Sequence, residues 1–182
     1  MKGVVFVELF EFIEQNYDTF FLQDVIEAAD LPSGGVYTAV GTYPGCEMAR
    51  LAAAFSQRTG LSVPEIMKKF GQHLFGRFAV NYPGFFGESQ DALAFLASIE
   101  EQIHREVYKL YPDAELPRFD IGDRTEDGMT LIYHSTRHLG DLCEGLIRGC
   151  LDHFGGRFTL TRETLKVDHE SSVRFDIRKV AA

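Results

Sequence analysis

The sequence predicts an α+β fold: a helical N-terminal two-thirds followed by an antiparallel sheet with one packed helix. Two observations carry this prediction. Apolar residues recur three and four apart as far as Tyr111, and after Pro112 the period changes to two. Clusters of Gly, Pro, Asn and Asp divide the chain into segments of ordinary helix and strand length.

Residues 4–17 place Val5, Leu9, Phe12 and Ile13 near a common face and read as the first helix. The second, residues 20–29, stops at Asp30-Leu31-Pro32-Ser33-Gly34-Gly35. Residues 46–57 carry Met48, Leu51, Ala52 and Phe55 and end before Gly60. The fourth helix opens on Ser62-Val63-Pro64-Glu65, with Ser as N-cap and Glu at the capping-box position, and fades at Asn81-Tyr82-Pro83-Gly84. A long amphipathic helix is predicted from about residue 90 to 111, with Leu96, Ile99, Ile103, Val107 and Leu110 as its stripe and Pro112 as its stop. Residues 118–121 and 129–135, joined by a polar stretch, read as a β-hairpin. Residues 141–154 form a helix closed by Gly155-Gly156, and residues 158–161 and 172–177 alternate as two further strands.

The 182 residues suit one domain, and a 45% hydrophobic content supplies a real core. Sixteen Phe and seven Tyr make that interior rich in flat rings, which serve core packing or line a pocket. Acidic residues outnumber basic ones 27 to 18, a formal charge of −9 that argues against nucleic acid or an anionic membrane as partner. No apolar stretch approaches the roughly 20 residues that span a bilayer. The start breaks its apolar run too early for a signal peptide. Cys46, Cys143 and Cys150 form neither a disulfide framework nor a metal-binding pair. The expectation is a soluble, cytoplasmic protein.

Tyr133-His134-Ser135-Thr136-Arg137 is the most informative stretch. Strand alternation sends Tyr133, Ser135 and Arg137 to one side, and His134 and Thr136 to the other. Two hydroxyls and a guanidinium on one side suit carboxylates or a phosphate, although a strand with a wet face gives the same pattern. His104 lies on the shoulder of the long helix's apolar stripe. Such a histidine is either a core residue bonded to a carbonyl or an axial ligand for haem iron. His73 sits on the preceding helix, and His153 and His169 lack neighbours at zinc-ligand spacing. Pro117, 13 residues after His104, is strand punctuation or a rigid ring against a group held by the helix. Glu100 and Glu101 fall on the polar side of their helix and are expected to be solvated. No nucleophile elbow, phosphate loop, dinucleotide fingerprint or His-Glu-x-x-His occurs, so an enzyme is not expected.

Taken together, His104, Pro117 and the Tyr133/Ser135/Arg137 row resemble the haem-nitric oxide/oxygen binding (H-NOX) family, the bacterial haem sensor domains related to the haem domain of soluble guanylate cyclase. The opening Met1-Lys2-Gly3, Phe70-Gly71-Gln72-His73-Leu74-Phe75, residues 103–117 and Glu144-Gly145-Leu146-Ile147 share in the resemblance, which covers essentially the whole chain. It implies one domain over residues 1–182, with a helical lobe at about 1–60 and a haem-carrying lobe with the sheet at about 61–182, the haem between them. The cofactor implied is haem b (iron protoporphyrin IX). His104 would be its proximal iron ligand, Tyr133, Ser135 and Arg137 a clamp on its propionates, and Pro117 a ring pressing on the porphyrin. Val5, Leu9, Leu74, Phe78, Leu142 and Leu146 match positions lining the distal pocket.

Leu142, nine residues after Tyr133, stands where oxygen-binding members of the family carry a distal tyrosine. The resemblance therefore implies a nitric oxide sensor that discriminates against oxygen, with carbon monoxide as a further candidate ligand. No output domain is predicted, so the implied partner is a separate histidine kinase or diguanylate cyclase/phosphodiesterase. Residues 165–172 offer His169 but no Cys, and the C-terminal zinc site of some relatives is not expected. Cys143 and Cys150 are expected in the core. Two alternatives stand beside this reading: an oxygen- or redox-sensing haem protein with a distal donor such as His73, and a cofactor-free interaction module.

Overall fold

The computed structural model describes residues 1–86, 89, 91–167 and 170–180. Four helices come first, α1 (Gly3–Asn16), α2 (Thr19–Ala29), α3 (Gly45–Thr59) and α4 (Val63–Asn81). A 3-10 turn (Pro83–Phe85) precedes α5 (Ala92–Ser98), a π-helical turn (Ile99–His104) and α6 (Arg105–Leu110). The chain then forms β1 (Arg118–Thr125), β2 (Gly128–Ser135), α7 (Gly140–Phe154), β3 (Phe158–Val167) and β4 (Glu170–Lys179). This is the mixed helical and antiparallel fold that the periodicities predict. No helix of the described residues is long and apolar enough to cross a membrane.

Local chemistry sets several of these boundaries. The Ser62 hydroxyl accepts from the Glu65 N–H at 3.4 Å while the Glu65 carboxylate accepts from the Ser62 N–H at 2.9 Å, the capping box expected for α4. Asp18 caps α2 by accepting from Phe21 N–H at 2.7 Å, and Asp91 caps α5 through Ala94 N–H at 2.8 Å. The long helix predicted from residue 90 is therefore shorter at its start, and residue 90 lies outside the described residues. It is also not continuous. The π turn rotates its second half away from an unbroken 3.6 period, and Leu110, counted on the apolar stripe, is 65% exposed.

The sheet order is β1-β2-β4-β3, antiparallel throughout. β1 runs beyond Ile121, through residues read as a polar linker, because a bulge between Ile121 and Arg124 breaks its alternation at an exposed edge. Met129, Leu131 and Tyr133 of β2 and Val173, Phe175 and Ile177 of β4 face α5 and α7 in one apolar cluster. Helices α1 to α4 enclose the other, around Phe6, Phe55 and Phe70.

Helices α4 and α7 join the two clusters by touching backbone to backbone. A Cβ on Gly145 would lie 2.2 Å from the Lys68 carbonyl oxygen, and one on Gly71 would lie 2.4 Å from that of Leu142. Only glycine allows this approach. Beside it, the buried Glu8 of α1 accepts from Arg77 Nε at 2.8 Å and Asn81 Nδ2 at 3.3 Å, tying α1 to α4. Gly145→Ala should cost about 1–3 kcal/mol in chemical denaturation. Gly76→Ala, at an open position of α4 with nothing within 4 Å, should instead be neutral or stabilise by up to about 1 kcal/mol.

Candidate functional site

A cavity of about 350 Å³ lies between α1, α4, the α5–α6 segment, the sheet and α7. Its walls are mostly apolar: Val4 and Val5 of α1, Leu74 and Phe78 of α4, Ile99, Ile103 and Val107 of the π turn and α6, and Leu142 and Leu146 of α7. His104, Pro117, Tyr133, Ser135 and Arg137 line the same space. Residues more than a hundred positions apart in the sequence are thus gathered around one volume. Leu9 departs from this set. One turn beyond Val5, it is sealed in the first apolar cluster and does not line the cavity.

His104 closes the π turn, with a side chain 12% exposed. Its Nδ1 lies 3.2 Å from Glu100 Oε1. An ionised carboxylate only accepts, so Nδ1 carries the proton and Nε2 keeps its lone pair. Burial pushes His104 below the usual histidine range, and the Glu100 charge pulls the other way. The same Glu100 oxygen accepts from the Phe119 N–H at 2.6 Å. Glu101 is exposed, as helix periodicity suggests, whereas Glu100, its side chain 37% exposed, is solvated on one side and bonded to protein on the other. The spacing to His104, four residues, was the available signal; the Phe119 partner, 19 residues on, was not visible in any local pattern. Phe119 itself packs between the His104 ring, 5.7 Å away, and the Tyr133 ring, 5.6 Å away.

β2 places the polar row. Tyr133 is buried, and burial pushes its hydroxyl up to about 12, so it stays a neutral donor. Ser135 ends the strand, and its hydroxyl accepts from the Arg137 N–H at 3.1 Å, turning the chain. Arg137 donates to the Glu115 carbonyl at 2.7 Å and pairs with the exposed Glu115 carboxylate. Such an exposed pair contributes little and leaves the fork open to another anion. His134 points away, engaging Ser172 Oγ at 2.8 Å and Asp120 Oδ2 at 3.0 Å.

This donor set suits one kind of cofactor. Among the described residues no three His, Cys, Asp or Glu side chains gather to hold a metal. A metal on His104 would need its remaining ligands from a flat apolar macrocycle, and the row of donors fits acidic groups on that macrocycle's edge. Burial also pushes the Cys143 thiol up, so it presents no competing thiolate. The Haem-NO-binding family model matches residues 2–162. The chain belongs to this family.

Solved H-NOX structures agree. The Fe(II) unliganded H-NOX protein from K. algicida is 35% identical, with a TM-score of 0.92 over 100% of this chain and 98% of that one. The Shewanella woodyi H-NOX, bound to IWP-051 in the Fe(II)CO state, is 36% identical, with a TM-score of 0.83 over 99% of this chain and 95% of that one. The S. oneidensis H-NOX in the Fe(II)NO state, 24% identical with a TM-score of 0.90 and full coverage of both chains, supports the fold alone. No curated protein matches the chain. The chain is thus a member of a haem-binding gas-sensor domain family.

Two remaining expectations concern histidines. His169 lies outside the described residues, and with it the zinc question. His73 does not line the cavity; it packs on Phe12 at 5.3 Å, with Nε2 3.8 Å from Glu8 Oε2. Burial pushes His73 below its ordinary value, with Glu8 opposing. The folded state therefore favours the neutral ring, and its stability contribution is full above the ordinary value of about 6.5 and lost as pH falls below it. Stability measured by denaturation should fall as pH drops below about 6.5, and His73→Gln should reduce that slope.

Proposed function

We propose that this H-NOX protein is a haem-based nitric oxide sensor signalling to a separate partner protein. The observation that carries the reading is the pairing, in one cavity, of a neutral His104 with a free Nε2 and apolar walls that place leucine at position 142. His104 would ligate the iron of haem b. Tyr133, Ser135 and Arg137 would hold the two propionates, a count of donors that matches two carboxylates, and Pro117 would set a rigid ring against the porphyrin. Haem would supply an iron able to bind a diatomic gas such as nitric oxide, and His104 would hold that iron from the end of the π turn.

Val5, Leu74, Phe78, Leu142 and Leu146 would form the gas-facing wall. These five side chains offer a polar ligand such as oxygen no hydrogen-bond donor, while nitric oxide, or carbon monoxide, needs one far less; Tyr82, whose ring packs on Phe78 at 6.0 Å, also lines the cavity. His104 closes the π turn, so a change in what holds its ring acts directly on the α5–α6 segment. Movement of that segment against the sheet would be the signal to a histidine kinase or a diguanylate cyclase/phosphodiesterase.

Three substitutions test the assignments. His104→Gly should abolish the five-coordinate ferrous spectrum until free imidazole is added. Arg137→Ala should release haem about 10-fold faster or more to an acceptor protein, the worth of one charged hydrogen bond. Leu142→Tyr adds a donor to the wall and should raise oxygen affinity about 10-fold. An unchanged ferrous spectrum in His104→Gly would contradict the ligand, and unchanged oxygen affinity in Leu142→Tyr would contradict the discrimination.

A further inference from the structure

Glu100 holds two unrelated groups with one oxygen. Its Oε1 lies 3.2 Å from His104 Nδ1 and 2.6 Å from the Phe119 backbone nitrogen. Both must donate, because an ionised carboxylate has no proton to give. Among the described residues no lysine or arginine pairs with Glu100, and its ion-pair contact is to His104. The negative charge is therefore directed at one imidazole edge. The neighbouring Glu101 is exposed.

The Phe119 end of this bridge matters as much as the histidine end. Phe119 pairs with Tyr133 in the β1–β2 register. Its ring also lies against both His104 and Tyr133. Glu100 thus fixes the helical imidazole to the strand pair that carries the first member of the polar row. The contact lies within the π turn, whose bonds also determine where His104 stands.

We infer that Glu100 is a positioning residue for the iron ligand: anchored on the Phe119 N–H, it accepts the His104 Nδ1–H and so fixes the ring's tautomer and plane. This rests on the reading of His104 as the haem ligand. A carboxylate on the far nitrogen of a ligating imidazole raises the donor strength of the near one. Glu100 thereby sets how firmly His104 holds the iron and how readily it lets go. Partners of this kind, when removed, cost metal affinity on the order of 10–100-fold.

The test uses the haem-loaded ferrous protein and its iron–histidine stretching frequency in resonance Raman spectra. Glu100→Gln, which keeps an acceptor but loses the charge, should lower the frequency, and Glu100→Ala should lower it further. Both variants should raise the midpoint reduction potential. A merely structural role would leave the frequency unchanged wherever haem is retained, and that result overturns the proposal. A measurement on the unsubstituted protein stands independently of how the variants fold. In the diamagnetic ferrous carbon monoxide form, the His104 Nδ1 proton should resonate far downfield and resist exchange with solvent. Free exchange of that proton would overturn the proposal. If the unsubstituted protein shows no iron–histidine band, it is the haem reading that fails.

Discussion

The contact on which the rest of this structure depends is the backbone approach of α4 to α7, permitted by Gly71 and Gly145. With a side chain at either position the helices would separate by the size of a methyl group, and interiors packed to crystal density do not absorb that gap without strain. The consequence reaches the cavity directly. Leu74 and Phe78 lie on α4 just beyond the contact, and Leu142 and Leu146 flank it on α7. Leu146 packs against both apolar clusters, so the wall they form is also the seam of the molecule. Two backbones in contact fix the spacing of that wall, and the side chains at Leu74, Phe78, Leu142 and Leu146 make it apolar.

The cavity gains its direction from a contrast in polarity. Its polar side chains are His104 at the end of the π turn, Tyr111 and Glu115 in the connection to β1, and Tyr133, Ser135 and Arg137 at the end of β2 and in its turn, with Lys2 and Tyr82 at other points of the wall. Phe119 lies between the histidine and Tyr133, the first member of the row, holding ring against ring rather than water against charge. An imidazole in such surroundings stays neutral, and a guanidinium whose present partner is an exposed carboxylate stays available. In the proposed sensor these two properties divide the work, with one group on the iron and the other on the cofactor's acidic edge.

Much of this was legible in the sequence, for reasons that also explain what was not. Ser62 and Glu65 announce α4 because a capping box is a local contact between residues three apart. Tyr133 and Ser135 share a side by strand alternation, whereas Arg137, beyond the end of β2, reaches the same cavity through the turn that the Ser135 hydroxyl closes. The π turn could not be read, since a 3.6 period fits its flanking helices and a single wide turn leaves no periodic trace. Glu100 was hidden for a related reason, as half of its bonding is to a backbone N–H in another element. Glu8 likewise gives no local sign that it is buried, because Arg77 and Asn81 reach it from α4. Leu9 shares a face with Val5 by helical spacing, yet one further turn carries it behind the wall. Local chemistry identifies elements and faces, and contacts between distant segments decide which members of a face meet the cavity.

The most direct measurement is the visible absorption spectrum of the ferrous protein, first under nitric oxide and then, in a separate sample, under air. A nitric oxide sensor of this kind should show a Soret band that shifts on addition of nitric oxide and a ferrous sample that forms no stable oxygen complex. A persistent oxygen-bound spectrum, or a purified protein that takes up no haem at all, would contradict that function.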